Sequence, residues 1–391
     1  MNFSLSALLL ASLSSSAAGQ IRDTVRLVLP DTIVAKASAD STRKALRLCS
    51  AGDVTLGSNL DSLWERTAAV ALWERYARRA DPDSLLAPLQ NLFADADVVL
   101  LNVEGAIGDG PFMKKCGPRS TSCYAFRSPT SAAGAIRRVG SDKARVIGNV
   151  ANNHSHDVGG PGLSTTIALL DSAGVQVTGA DTMATMVTTS RGDTLAFLCF
   201  YTGSDSPDAR NLAGVRRHVA RAVASYRTVI VTMHLGAEGA SAQRTRNMSE
   251  VFVGTQRGNP VAFANAALDG GATAVIGHGP HVLRGGEWRD SSLVLYSLGN
   301  FVNYGTFRLT EPMNRGAVAC LDILGPRRIG SATLASTIQI APGVVLWDWN
   351  ARSASLIDSL SRLDFPQTGI LVAPDGTIGR RGVSAPPARR Q

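Results

Sequence analysis

The sequence predicts an α/β fold built on mixed β-sheet, and three observations carry that prediction. Short apolar runs of strand length alternate with stretches of helical spacing through the first half of the chain. Hairpin signals then enter, as at Arg191-Gly192-Asp193 and Arg289-Asp290-Ser291, each between two apolar runs. Five of the runs end in polar loops, the place where α/β folds keep their chemistry. One mixed sheet or two sheets packed together, with helices outside, would both satisfy this pattern.

The chain begins with a short apolar core over 5–13, followed by small residues over 14–19. Residues 1–19 therefore read as a signal peptide, although no Lys or Arg precedes the core. Export to a periplasm, the cell surface or the medium is the expectation, with cleavage near Ala18 or Gly19. Residues 20–44 are polar and weakly patterned and read as a linker. A first strand is expected over 45–51, turning at Gly52-Asp53. Residues 63–80 have helical spacing, with Trp64, Ala68, Leu72, Trp73 and Tyr76 available for one face. A second helix is expected over 84–93, a strand over 98–101, a long loop over 108–128 and a helix over 131–139. A strand over 144–147 leads into Gly148 to Gly160, and a helix over 162–173 ends at Gly174. A short strand is expected over 175–177, and the runs 183–189 and 194–200 read as a hairpin. A helix over 215–227, a strand over 228–233 and a Pro-initiated helix over 260–268 follow. A strand over 272–276, a hairpin over 283–296, an antiparallel pair over 317–324 and 331–340, and a last helix over 353–363 complete the domain. The domain is expected to span 45–376, with 377–391 disordered.

Of 391 residues, 45% are hydrophobic and 18% charged, a globular composition with ample length for a core. The net charge is +8, carried mostly by arginine, with only five lysines. A solvated Arg-rich surface explains this, and so does attraction to an anionic polymer or phosphorylated substrate. No basic stripe interleaves with aromatics, so no nucleic-acid partner is expected. Cys116 and Cys123 bracket a polar loop and could close a small disulfide in an oxidising compartment. Cys49, Cys199 and Cys320 sit in apolar runs and read as buried thiols.

The strand ends concentrate one kind of chemistry. Five of the six histidines, His154, His156, His234, His278 and His281, fall in loops of this type, and only His218 lies elsewhere. Asp53, Asn102, Glu104, Asn153 and Glu238 join them. Carboxylate, amide oxygen and imidazole without thiolate are donors for Mn, Fe or Zn. Asp53, Glu104, Asn153, His234, His278 and His281 could hold two divalent ions, which activate water and clamp the oxygens of a displacement. His154 would be free to protonate a leaving group, with Asp53 the other catalytic candidate. Asp53 could instead be only a turn or cap residue, whereas an unpaired Glu104 in an apolar stretch would be costly. Asn152 reads as a loop tie, and Asp157 as a helix cap or a histidine-orienting carboxylate. Asn102, His156, Glu238 and Asn300 are the substrate-contact candidates; a backbone-fixing role near the crevice for Asn300, an exposed loop position for His156 and a role beside His234 or at the surface for Glu238 are also open.

The motifs Gly52-Asp53, Asn102-Val103-Glu104-Gly105, Ala151-Asn152-Asn153-His154 through Gly159, His234-Leu235-Gly236-Ala237-Glu238, Gly277 through Pro280-His281, and Ser297-Leu298-Gly299-Asn300-Phe301 occur in an order that resembles the CapA family. These are bacterial capsule or poly-γ-glutamate synthesis proteins, a branch of the calcineurin-like metallophosphoesterase superfamily. The resemblance covers about residues 46–365. It implies a four-layer αββα sandwich of two mixed sheets with a two-metal site at the sheet edges. It implies Asp53 as first-motif aspartate, Glu104 in the place of a bridging aspartate, Asn153 and His154 as the Asn-His pair, and His234 and His281 as ligands. Thr55 stands where many phosphoesterases have histidine, and Gly279 replaces the first histidine of a common His-Pro-His, with His278 one residue earlier. The function implied is metal-assisted hydrolysis or transfer in anionic-polymer biosynthesis, in company with a capsule-synthesis membrane complex. The alternative is a non-catalytic module that binds the polymer.

Overall fold

The computed structural model describes residues 45–57, 62–109, 115, 124–203, 206–305 and 307–381, with backbone alone for 62–65. The expected signal peptide and linker, the Cys116–Cys123 pair and the last ten residues lie outside the described residues.

The first half runs β1 (Leu46–Thr55), α1 (Ser62–Tyr76), α2 (Pro82–Leu86) with a 3-10 stretch Ala87–Phe93, β2 (Val98–Val103), β3 (Ala106–Ile107), β4 (Arg127–Ser128) and α3 (Ser131–Val139). Then come β5 (Arg145–Asn149), α4 (Gly159–Ser172), β6 (Val175–Thr178), β7 (Thr185–Thr188), β8 (Thr194–Tyr201), α5 (Leu212–Ser225) and β9 (Val229–His234). A small hairpin, β10 (Val251–Phe252) and β11 (Thr255–Gln256), precedes α6 (Pro260–Asp269), β12 (Ala274–His278), β13 (Gly286–Arg289), β14 (Ser292–Leu295) and β15 (Asn300–Asn303). The chain closes with β16 (Arg315–Gly325), β17 (Arg328–Ile340), β18 (Val344–Trp347), α7 (Arg352–Asp364), β19 (Ile370–Val372) and β20 (Ile378–Arg380).

Among the described residues two mixed sheets dominate. The larger orders its strands β18-β17-β16-β1-β2-β5-β6, with β15 also pairing β1, and the smaller β13-β14-β12-β9-β8-β7. In the first, β15, β1, β2, β5 and β6 are parallel and β16 to β18 antiparallel. In the second, β8, β9, β12 and β14 are parallel, with antiparallel β7 and β13 at the edges.

Strand alternation sorts the core into three apolar clusters. Val99 and Leu101 of β2 share one with Leu72 of α1, Phe93, Ile136 of α3 and Leu170 of α4. Leu48, Leu100 and Ile147 of the same sheet share a second with Phe197, Ile230 and Ile276 of the other sheet. Leu198, Phe200 and Val231 join Val219 of α5 and Phe263 of α6 in the third. Nearly every strand residue in these clusters is fully buried, each worth about 1.5–3 kcal/mol of transfer free energy for a large aliphatic or aromatic side chain.

Several expectations change. Cys49 and Cys320 are not thiols: they face each other across β1 and β16 and form a disulfide. Their separation of 271 residues hides the pairing from any local reading. Cys199 is a buried free thiol, and burial pushes it up to about 11. The helix expected over 84–93 is capped by Asp81, whose Oδ1 accepts from the Ser84 N–H at 2.9 Å, and becomes 3-10 from Ala87. Pro88 removes an amide donor and crowds the preceding turn there. On α1, Ala68, Leu72 and Tyr76 form the inward stripe, and Trp73 lies off it at 61% exposure. Past residue 376, part of the stretch expected to be disordered forms β20, which pairs antiparallel with β19. Among the described residues no helix is long and apolar enough to cross a membrane.

Candidate metal centre

The candidate centre is assembled at the carboxyl ends of parallel strands from both sheets. Asp53 is paired in register with Asn102 on one side and Asn300 on the other, and Asn102 with Asn149. In the second sheet, His234 and His278 are the last residues of β9 and β12 and stand opposite each other. Two glycines permit the close approach. A Cβ at Gly52 would fall 2.1 Å from the Gly299 carbonyl oxygen, which accepts the Asp53 N–H. Gly279 has φ +100°, and a Cβ there would come within 3.0 Å of the His234 ring. The space a side chain at position 279 would need is therefore filled by the His234 ring.

Asp53 and Glu104 are both fully buried. Asp53 Oδ1 accepts from Asn102 Nδ2 at 2.8 Å and lies 3.3 Å from His278 Nδ1; its Oδ2 lies 3.3 Å from His281 Nδ1. Glu104 Oε1 is 3.6 Å from His281 Nε2 and 3.7 Å from His234 Nε2. Ligand atoms of Asp53, Glu104 and His281 lie within 4.8 Å of one another. His281 Nδ1 donates to Asn300 Oδ1 at 2.9 Å, which leaves Nε2 directed at Glu104 and Glu238. His281 adopts φ 57°, a left-handed backbone uncommon outside glycine and asparagine, which turns its ring back toward Asp53.

The donor set fits a divalent cation on an observation independent of any motif. Both Glu104 carboxylate oxygens, and both His278 ring nitrogens, are buried with no hydrogen-bond partner. Such atoms carry an uncompensated desolvation cost that a cation would remove. This buried Asp/Glu/His group could bind a metal ion. His234 and Asn153 sit beside it but satisfy each other, with His234 Nε2 donating to Asn153 Oδ1 at 2.6 Å.

The ionisation pattern reflects the crowding. Burial alone would raise the Asp53 carboxyl; the adjacent His278 and His281 rings hold it well below the usual carboxylate range. Burial, reinforced by the Asp53 charge, pushes Glu104 well above that range. Burial would lower His281, but Glu104 and Asp53 lift it well above the usual imidazole value. Burial holds His234 well below it.

His154 occupies the turn after β5, with its ring against Phe126 at a centroid distance of 4.4 Å. Its Nδ1 bonds Asp157 Oδ2 at 2.7 Å. Asp157 is fully buried and also engages Lys115 and, at 2.6 Å, the Phe126 N–H. Asp157 is thus the carboxylate that orients His154, and only Nε2 remains for proton transfer. Asn152 ties the loop as expected: its Oδ1 accepts the His154 N–H at 3.0 Å and its Nδ2 donates to the Val103 carbonyl at 2.9 Å.

The four substrate-contact candidates separate. Asn102 is fully buried with its amide committed to Asp53, Asn149 and Asn152, so it positions Asp53. Asn300 is fully buried between His281 and the Met313 carbonyl and positions His281. Glu238 does approach the centre, with Oε2 3.8 Å from His281 Nε2. His156 is half-buried in the turn before α4. Sequence reasoning missed Asn149, which braces Asn102 and whose only signal was its place at a strand end. It also missed Arg257, a buried cation 2.8 Å from Glu238, because nothing local separates it from the other arginines. Thr55 takes no part as a donor to the centre; its hydroxyl donates to the Glu104 carbonyl at 3.0 Å, and His278 supplies the imidazole beside Asp53.

A mixed α/β protein with a buried carboxylate–imidazole cluster at converging strand ends belongs to the class of candidate metal-dependent proteins. The chain belongs to the bacterial capsule synthesis protein PGA_cap family, which it matches over residues 47–305, more than half its length. It is 23% identical over 267 residues to the PGA biosynthesis protein CapA of Bacillus subtilis (strain 168), covering 64% of this chain and 61% of that one. It is 32% identical over 112 residues to the uncharacterized protein y4sH of Sinorhizobium fredii (strain NBRC 101917 / NGR234), covering 27% of this chain and 22% of that one. The chain thus spans less than two thirds of either relative.

Proposed function

We propose that this chain acts in capsule or poly-γ-glutamate biosynthesis as an exported, metal-dependent enzyme of hydrolytic or transferase type. The observation that carries the enzymatic part is Glu104, whose two buried oxygens make no hydrogen bond although Asp53 and His281 stand beside them. Asp53, Glu104, His278 and His281 would hold the ion, and a second ion would have to take Asn153 and His234 by replacing the hydrogen bond between them. Mn, Fe or Zn suits these donors. When bound, the ion would polarise the scissile bond and acidify a water. The chain's own residues do the rest. Asn102 and Asn300 fix the orientation of Asp53 and His281. Asp157 holds the His154 ring so that Nε2 exchanges a proton with the leaving group or the attacking water. Burial keeps the His154 imidazole below its ordinary value despite Asp157, so near neutral pH its Nε2 is unprotonated and takes a proton from the attacking water before passing it to the leaving group.

The layering proposed is helix, sheet, sheet, helix. Its support is the division of the core into three clusters, one shared between the two sheets and one between each sheet and its own helices. Export is supported by the buried Cys49–Cys320 disulfide, a bond that persists in oxidising compartments. A non-catalytic, polymer-binding reading is favoured by one feature, the exposed Arg216, Arg217 and Arg221 on α5, a helix without acidic residues.

The discriminating experiment compares wild type, Asp53→Ala and His154→Ala on a generic phosphodiester and on poly-γ-glutamate. The enzyme reading expects loss of turnover in both variants, with metal retained in His154→Ala and lost in Asp53→Ala. Equal activity in all three proteins would remove it in favour of the binding module.

A further inference from the structure

We infer that Arg257 is the anion-recognition residue of this site and that Glu238 holds its place until a substrate oxyanion displaces it. The inference rests on the reading of the crevice as a substrate site, but not on the presence of metal. The Glu238 carboxylate spans the gap between Arg257 and the centre. Its Oε1 lies 2.8 Å from Arg257 Nη2 and its Oε2 lies 3.8 Å from His281 Nε2. An oxyanion that bridged the centre and a cation would lie along the same line.

The Arg257 side chain is 7% exposed, yet its Nε and Nη2 have no partner in hydrogen-bond geometry, Glu238 being close but off-angle. A guanidinium presents a planar fork suited to two oxygens at once, and burying it half-used is costly. Arg284 shows what a matched fork looks like in this fold. It binds Glu250 through two bonds, Nη1 to Oε1 at 2.9 Å and Nη2 to Oε2 at 2.7 Å.

That second pair also fixes Arg257 in space. Glu250 accepts the Ala237 N–H at 2.6 Å, while its carbonyl accepts the Arg257 N–H at 2.8 Å. The Arg257 carbonyl in turn accepts the Gly236 N–H at 2.8 Å, two residues beyond His234. The cation is therefore tied to the strand end that carries His234, and an anion meeting it needs no rearrangement of the main chain. Glu238 is the more accessible partner, 14% exposed against 7%, and is followed by Gly239 at φ +91°, with open space where a Cβ on that glycine would lie. It can swing away where Arg257 cannot.

The ligand chemistry is an oxyanion with two oxygens for the fork, either a carboxylate or a phosphoryl group. The test uses the full chain in EDTA, with glutarate and inorganic phosphate titrated separately by calorimetry. Arg257→Gln is expected to weaken binding about tenfold or more, from loss of charge-assisted hydrogen bonds. Glu238→Gln is expected to tighten it by a similar factor, because a competing carboxylate is removed. Arg257→Lys, which keeps charge without the fork, should fall between and serves if Arg257→Gln does not fold. Preference for glutarate would assign a carboxylate, and preference for phosphate a phosphoryl group. Weakening in both Arg257→Gln and Glu238→Gln would make the pair structural and overturn the inference, as would unchanged binding in Arg257→Gln. A separate metal titration reports on the enzyme reading, so either can fail alone.

Discussion

Glu104 shows how much one buried carboxylate can decide. Its folded pKa lies above the ordinary 4.5, so its contribution to stability falls as pH rises from about that value through the folded one. His281 is raised above 6.5, so its contribution is complete below about 6.5 and is lost as pH rises through its folded value. Asp53 is lowered below 3.8, so its contribution is complete above that and is lost as pH falls through the folded value. Metal-free protein should therefore lose melting temperature as pH is raised above neutral, and Glu104→Gln should flatten that limb. A wild-type melting temperature independent of pH in EDTA would contradict these assignments. Metal uptake should release protons from Glu104 and His281, read directly with a pH indicator during titration. Asp157→Asn tests the orientation of His154: turnover should fall about 10- to 100-fold with little change in metal affinity. Loss of metal in that variant would place Asp157 in the centre instead of behind His154. At this scale the sequence was informative about identity and poor about geometry. Asp53, Glu104 and His281 stand together as their residue types suggested. Asn102 looks the same in sequence as a substrate-facing amide, and only burial reveals that it braces Asp53; Asn300 fixes the Met313 backbone as its sequence reading allowed, but its hold on His281 was not legible.

The elements were legible where a periodic apolar face decided them. The expected 131–139 helix and the hairpin around Arg191-Gly192-Asp193 are seen as α3 and as β7–β8. Boundaries blurred where tertiary contacts extend a strand. β1 continues past the expected turn to Thr55, because β2 and β15 both pair with it around Asp53, through register shifts on each side. The Cys49–Cys320 disulfide was invisible because it depends on β16 returning to lie antiparallel beside β1. Cys49→Ser with Cys320→Ser should lower stability by about 2–5 kcal/mol in denaturant unfolding, from loss of the cross-link. A change below about 0.5 kcal/mol would show that the bond does not form in the folded chain. Phe263→Ala on α6 should cost about 3–5 kcal/mol by emptying a site shared with Phe200, whose ring lies 5.3 Å away.

At the scale of the molecule, the alternation of strands and helices indicated α/β class, while the order of strands and the partition into sheets depended on pairings between distant segments. The centre draws on both sheets: Asp53 and Glu104 come from one, His234 and His278 from the other, and His281 from the loop that follows. That arrangement explains why Gly52 and Gly279 are needed where strand ends approach one another. It also means that a metal ion would link the sheets, so binding should stabilise the whole fold. The central claim is that Asp53, Glu104 and His281 form a metal centre. The most direct measurement is metal content of purified protein by elemental analysis, paired with the melting temperature before and after EDTA and on readdition of Mn, Fe or Zn. Bound first-row metal in wild type, a reversible fall in melting temperature on its removal, and neither effect in Asp53→Ala are predicted. A wild type that carries no such metal and melts at the same temperature with and without it would contradict the account.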